Sequence, residues 1–357
     1  MPLIIEGRVP SRWAESRDSR LAASVKEHAK RSDAVSLALI NNMPDAALED
    51  TELQFFELLD IASGDAPVYL RLYSLTGVPR TDRGQRHLNN FYFEFDDLWR
   101  NRFDGVLITG TEPHHANLRD EPYWQLMADV FDWAERSTDS TILSCLAAHA
   151  SVLHSDGINR HRLPDKQFGV FASQETGEHP LMRNAGSALH FPHSRWNEVR
   201  EEELTSADYR ILTSSDGAGV DLFVKKKKQS LFVHFQGHPE YGTQTLLKEY
   251  RRDIKRFLNR ERETYPSLPA GYFDTAATKF LSEYQRQALN ERKPDFISSF
   301  PETLVTRTLQ NTWHTLATSV YRNWLQHLIE KKSETASFVA MASNYGRGQQ
   351  KHGVLSS

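Results

Sequence analysis

The chain has 357 residues, 39% hydrophobic and 25% charged, with a formal net charge of −4. That balance describes a globular protein with no basic field to hold nucleic acid. A single cysteine excludes an internal disulfide framework and fits a reducing cytoplasm. No stretch approaches the roughly 20 apolar residues that span a bilayer, and the N-terminal residues lack the apolar core of a secretory signal.

In chain order, residues 1–33 read as an N-terminal arm, with a short charged helix over Trp13 to Arg31 whose apolar face is thin. A core domain spans 34–330. It opens on a buried strand, Ala34 to Ile40, because the run is short and almost wholly apolar. Asn41 to Asp45 is a loop, and a helix follows through Leu53, Phe55, Phe56, Leu58 and Leu59. Val68 to Leu75 alternates as a second strand, and residues 76–90 form a polar excursion. Phe103 to Thr109 is a third strand ending at Gly110, Tyr123 to Arg136 an amphipathic helix, and Thr141 to Ser144 a fourth strand. Strands alternating with helices predict an α/β fold: a parallel sheet with helices on both faces. Between 165 and 235, short strand-like runs separated by Gly, Asn and Asp predict antiparallel hairpins beside that core. Lys225 to Lys228 reads as a solvated hairpin turn in an acidic chain rather than a phosphate patch. Gln244 to Leu258 is a charged amphipathic helix, 259–302 a surface wrap, Thr303 to Ile329 a last strong helix, and 331–357 a flexible tail.

The chemistry gathers at strand ends. Cys145 stands where the fourth strand breaks into a small-residue helix. A thiolate there is stabilised by a helix N-terminus and by a nearby imidazole. The ordinary alternative is a small buried hydrophobe. A second apolar strand, Leu231 to Phe235, runs into Gly237-His238-Pro239-Glu240-Tyr241. Cysteine, His238 and Glu240 are the parts of a nucleophile, a base and a carboxylate that orients the base. Gly110 lies beyond a strand end, where ligands of open α/β sheets bind. Its backbone, with that of Leu146, suits an oxyanion. Pro192-His193-Ser194-Arg195 gathers an imidazole, a hydroxyl and a guanidinium fit for a carboxylate, or for a structural ion pair. Arg252 reaches the site only if its helix folds back on the sheet ends. P-loop, dinucleotide and zincin motifs are absent. His114 and His115 lack metal-ligand spacing, so no metal and no cofactor is expected.

Taken together these residues resemble the homoserine O-succinyltransferase and O-acetyltransferase family, whose flavodoxin-like core is similar to class I glutamine amidotransferases. The resemblance runs from about residue 35 to 328. It is carried by Asn42-Met43-Pro44, Thr51-Glu52-x-Gln54, Thr109-Gly110, Tyr123-Trp124, Cys145-x-Ala147, Gly169-Val170-Phe171, Pro192 to Arg195, Gly237 to Tyr241, Arg252-Asp253, Tyr272-Phe273 and Asn323-Trp324-Leu325. It implies that Cys145 accepts an acyl group from acyl-CoA as co-substrate, that His238 is the base and Glu240 its orienter, and that Arg252, Ser194 and Arg195 handle a small hydroxy amino acid. Homoserine is the preferred acceptor and serine the second. A homodimer is compatible with the resemblance, and neither membrane nor nucleic acid is implied.

The chain departs from the family in places. Asp45, Ala46 and Ala47 stand where a lysine is usual, His114 stands near the loop position that selects succinyl over acetyl in the family and is neither of the usual choices, and Leu146 and His149 replace a tryptophan and a glutamine. The rival readings are an amidotransferase-like hydrolase using the same triad and a catalytically silent amino-acid-binding protein.

Overall fold

The computed structural model describes residues 3–15 and 34–350. Ten strands form one continuous series: β1 (Leu3–Ile5), β2 (Val35–Ile40), β3 (Val68–Tyr73), β4 (Gly105–Ile108), β5 (Ser140–Ser144), β6 (His161–Glu175), β7 (Leu189–Glu198), β8 (Arg210–Ser215), β9 (Gly219–Lys227) and β10 (Ser230–Phe235). Their spatial order is β1-β3-β2-β4-β5-β10-β9-β8-β6-β7. From β1 to β10 neighbours are parallel, and from β10 to β7 they are antiparallel. The α/β class, the parallel core and the hairpin additions all stand as the alternation of apolar runs predicts. Because β5 and β10 are parallel neighbours in register, with Ser144 opposite Phe235, their two C-terminal ends open side by side.

Helices cover both faces. On one, α2 (Asp45–Ser63) and α11 (His314–Gln350) pack Phe55, Phe56 and Leu59 against Tyr321, Trp324 and Leu328, all fully buried. Burying side chains of this size contributes roughly 2–3 kcal/mol each. Trp324 also donates its indole N–H to Ser140 Oγ at 2.9 Å, tying the last helix to β5. On the other face lie α4 (Phe95–Arg100), α5 (Trp124–Ser137) and α6 (Leu146–Asp156), the last buried from Leu146 to Leu153. Asn42 stitches the strand ends. Its N–H donates to Thr109 Oγ1 at 2.8 Å, and its carbonyl oxygen accepts from Leu75 N–H at 3.0 Å.

Several expectations change. The N-terminal arm is partly core: Leu3 and Ile5 are buried on β1, which pairs with β3, and α1 (Ser11–Glu15) buries Trp13 against Phe56. Most of the helix expected over Trp13 to Arg31 lies outside the described residues. The polar excursion contains α3 (Asp82–Phe91), begun by the Thr81 hydroxyl, which accepts from Gly84 N–H. The surface wrap contains α9 (Thr275–Asn290), capped by Asp274 and buried through Leu281, Tyr284 and Ala288. Apolar residues there are sparse but fall on one helical stripe. The last helix is divided: α10 (Glu302–Thr306) stops, Trp313 plugs the gap with its N–H on Tyr241 O at 2.8 Å, and α11 begins at His314. Residues 331–350 continue α11 as helix rather than forming a tail, and 351–357 lie outside the described residues. Lys225 to Lys227 belong to β9, and Lys228 turns the hairpin at φ 47°. Lys225, Lys227 and Lys228 pair with Asp156 or Glu135 and Lys226 donates to Gln229 O, so all four lysines are engaged by the protein. Among the described residues, no helix is long and apolar enough to cross a membrane, and no group of His, Cys, Asp and Glu is arranged to hold a metal ion.

Candidate active site

Cys145 sits between β5 and α6 at φ 51° and ψ −107°. A side chain is rarely tolerated in that conformation, and strain of this kind costs about 1–3 kcal/mol. The Cys145 N–H donates to Phe235 O at 2.8 Å. Cys145 is thereby tied to the strand that leads to His238. One strand over, His238 Nδ1 meets Glu240 Oε1 at 2.8 Å, leaving Nε2 for Cys145, with which the imidazole also hydrogen-bonds. Both His238 and Glu240 are buried, whereas Cys145 is partly exposed. Burial by itself would lower the pKa of His238. The charges of Cys145 and Glu240 and their hydrogen bonds outweigh it and hold the imidazole well above its ordinary value. The imidazolium is the form of His238 that this arrangement favours.

Further contacts fix the pair. Ser144 donates to Glu240 Oε1 at 3.1 Å. Tyr241 stacks on the imidazole, with ring centroids 4.3 Å apart and planes 14° from parallel. Tyr321 on α11 lies buried within charge range of Glu240 and is raised well above the ordinary phenol range, first by burial and then by that carboxylate. His238 N–H donates to Pro192 O at 2.8 Å, and a methyl at Gly237 would stand 2.9 Å from the same oxygen. Gly237 is therefore the residue that lets β7 approach the base.

Gly110 serves the opposite side. A methyl there would lie 2.7 Å from Leu146 Cβ and 3.0 Å from Leu146 N. The turn after β4 thus rests directly on the first residue of α6, whose N–H has no partner within the helix. This is the placement expected for an oxyanion cradle. Gly110→Ala should lower kcat about 10- to 100-fold by prising the two backbones apart. Steady-state kinetics checks it, and unchanged kcat would remove Gly110 from the cradle.

The expected substrate residues divide. Arg252 lies on α8 (Thr245–Leu258) beside Glu249, whose carboxylate accepts from Tyr241, the ring stacked on His238. Glu249 accepts from Ser194 Oγ at 2.5 Å and from Tyr241 Oη at 2.7 Å, with Lys166 Nζ at 3.3 Å and Arg252 Nη2 at 3.7 Å. Burial would raise Glu249, but Lys166, Ser194, Arg252 and Tyr241 together hold it below the usual carboxylate range. Arg252 remains about half exposed, at 45%, and Lys166 also reaches Asp253 at 3.5 Å. Arg195 faces inward. Its Nε donates to His193 Nδ1 at 3.3 Å, Nη1 to Asn197 O at 2.8 Å and Nη2 to Ala218 O, so every guanidinium nitrogen is engaged by the protein. His193 itself is buried against Asp221 at 2.5 Å. Arg195 thus braces the β7 turn. His114 is exposed on the loop after Gly110.

Lys166, Glu249 and Tyr241 join the site without having been singled out by spacing. Lys166 lies in a strand of mixed polarity, and nothing local marks it. Glu249 had one signal: it stands three residues before Arg252, on the same helical face. Asp45, where a lysine is usual, is tied to Thr81 N at 2.7 Å and to the largely buried Arg80 at 3.2 Å. Those two partners come from the excursion that sequence reading left without structure.

A strained cysteine at a strand-to-helix turn and a buried His–Glu pair on the neighbouring strand, on an α/β sheet, are the kind of arrangement that acyl-transfer enzymes use. The family model for homoserine O-succinyltransferase matches residues 2–335, and the chain belongs to that family of acyltransferases. It is 41% identical over 309 residues to a homoserine O-succinyltransferase of Rhodopseudomonas palustris, covering 85% of this chain and 92% of that protein. To one of Methylorubrum extorquens it is 44% identical, covering 81% and 86%. Among solved structures it is similar to glutamine amidotransferases of Thermotoga maritima (11% identical, 83% of this chain, 98% of that one, TM-score 0.43) and Methylobacillus flagellatus (12%, 83% and 95%, TM-score 0.44).

Proposed function

We propose that this protein transfers a succinyl group from succinyl-CoA to the hydroxyl of homoserine through a thioester on Cys145. The observation that carries the reading is the His238 imidazole held between Glu240 and Cys145, on a chain 41% identical over 309 residues to a homoserine O-succinyltransferase. The Cys145 thiolate attacks the thioester carbonyl, and the N–H groups near Gly110 and Leu146 hold the oxyanion. The intermediate collapses, the C–S bond to CoA breaks, and His238 gives its proton to the departing CoA sulfur. His238 is then neutral. It takes the proton of the homoserine hydroxyl as that oxygen attacks the acyl carbon. Collapse expels the Cys145 thiolate and restores the starting ion pair. One thioester replaces another in the first half, so acylation is nearly isoenergetic.

Arg252 would take the acceptor carboxylate, because its guanidinium is half exposed at the rim of the Glu249 cluster and can present two parallel donors. Lys166 and Ser194 would fix the amino-acid end through Glu249, and Arg195 would support them from behind. No metal or redox cofactor enters these steps. Rates with succinyl-CoA and acetyl-CoA, each paired with homoserine and serine, test the reading. Succinyl-CoA with homoserine should be the fastest pair by at least about tenfold. A faster serine pair would reassign the acceptor, and no turnover with any pair would favour the hydrolase or silent reading.

A further inference from the structure

Along α6 lies a cavity of about 280 Å³. Its wall is formed by the loop after Gly110, through Asn117 and Leu118, by His149 and Leu153 of α6, and by Asn159 and Arg160 after that helix ends. Of these, Arg160 brings a positive charge. His149 is neutral: burial presses its pKa down to about 3, and its Nε2 is held by Gln236 at 3.0 Å. Arg160 is half-buried. Its Nη2 donates to His115 O and Ala116 O, both at 3.1 Å, which anchors the loop. Its Nε and Nη1 have no protein acceptor among the described residues, and it forms no ion pair there. Tyr123 and Glu121 are within charge range of Arg160; Glu121 Oε1 takes His115 N–H at 2.6 Å, while its buried Oε2 has no hydrogen-bond partner among the described residues. Burial lowers the pKa of Arg160 more than Tyr123, Glu121 and Cys145 raise it, and no carboxylate makes a direct ion pair with its guanidinium among the described residues.

Two facts connect this cation to the nucleophile. Cys145 lies within charge range of Arg160. His149, in the cavity wall, is one helical turn from Cys145, to whose carbonyl its N–H donates at 3.2 Å. Arginine already committed to two carbonyls through one nitrogen keeps its other edge free for a planar anion. An acyl group on Cys145 that ends in a second carboxylate, a few bonds from the thioester, supplies such an anion. A monocarboxylic acyl group does not.

We propose that Arg160 is a donor-selecting residue, which receives the free carboxylate of a diacid acyl group carried on Cys145 and so favours succinyl over acetyl. The inference rests on the acyl-transfer reading above. It assigns selection to a residue after α6, whereas exposed His114 is outside the cavity wall.

The test compares Arg160→Met, Arg160→Lys and the unaltered chain for acylation of Cys145 by succinyl-CoA and acetyl-CoA, read by intact mass over time. The ratio of succinyl to acetyl kcat/KM should fall 10- to 100-fold in Arg160→Met, the factor one charge-assisted contact supplies, and Arg160→Lys should recover part of it. The acetyl arm also reports whether each variant has folded. Equal loss with both donors would place Arg160 on the CoA moiety or in loop anchoring and overturn the proposal, as would an unchanged ratio. If the unaltered chain takes no acyl group from either thioester, the transfer reading fails separately. The cavity is then read by whether succinate, but not the uncharged butyramide, slows alkylation of Cys145 by iodoacetamide. Protection lost in Arg160→Met supports the carboxylate site, and absence of protection in the unaltered chain refutes it.

Discussion

Brief exposure to succinyl-CoA without acceptor should add one succinyl mass to the unaltered chain and none to Cys145→Ala. Turnover by Cys145→Ala should fall at least about 10⁴-fold, since no other group is positioned to carry the acyl chain. Cys145 is the chain's one cysteine, so a thioester can form at only one place. Stability should move the other way from activity. The φ of 51° is strained for any side chain and free for glycine, so Cys145→Gly should be inactive yet more stable than the unaltered chain by about 1 kcal/mol. Intact mass, kinetics and thermal unfolding read the three quantities. Full turnover by Cys145→Ala would dismiss the acyl-enzyme. A lower Tm in Cys145→Gly would show that the turn is held by the thiol's contacts rather than strained by its backbone.

His238 and Glu240 should behave as one unit. His238→Ala should lower kcat on the order of 10⁴-fold and Glu240→Gln on the order of 10²-fold or more, with the double variant losing little beyond His238→Ala. A pH profile separates orientation from mere packing. Burial lowers His238, while Cys145 and Glu240 raise it further than burial can offset. Removing the Glu240 charge deletes one of the raising causes, so the imidazolium is lost at lower pH. The alkaline limb of kcat/KM for succinyl-CoA should therefore shift to lower pH in Glu240→Gln. An unshifted limb, or cleanly multiplicative losses, would refute the paired role.

Sequence by itself determined the parts that chemistry makes local. Cys145 at a strand-to-helix break, His238 and Glu240 on one loop, and Gly110 after an apolar run are short patterns whose meaning depends on immediate neighbours. The alternation of apolar strands and amphipathic helices likewise implied a covered parallel sheet. Elements with weak apolar content were harder to read. Strand β1 is three residues long, and α9 shows its buried stripe only when Leu281, Tyr284 and Ala288 have a partner surface. The continuation of α11 to Gln350 had no sequence signal, because that stretch lacks an apolar face. Tertiary structure alone decided which charges are free. Arg195, Arg252 and Arg160 look alike as letters. Folding spends every guanidinium nitrogen of Arg195 on the protein, leaves Arg252 half exposed beside Glu249, and leaves Arg160 facing a cavity with one edge open. The physical reason is that an ionic group's role depends on what else competes for its hydrogen bonds, and those competitors come from strands and loops far away in the chain.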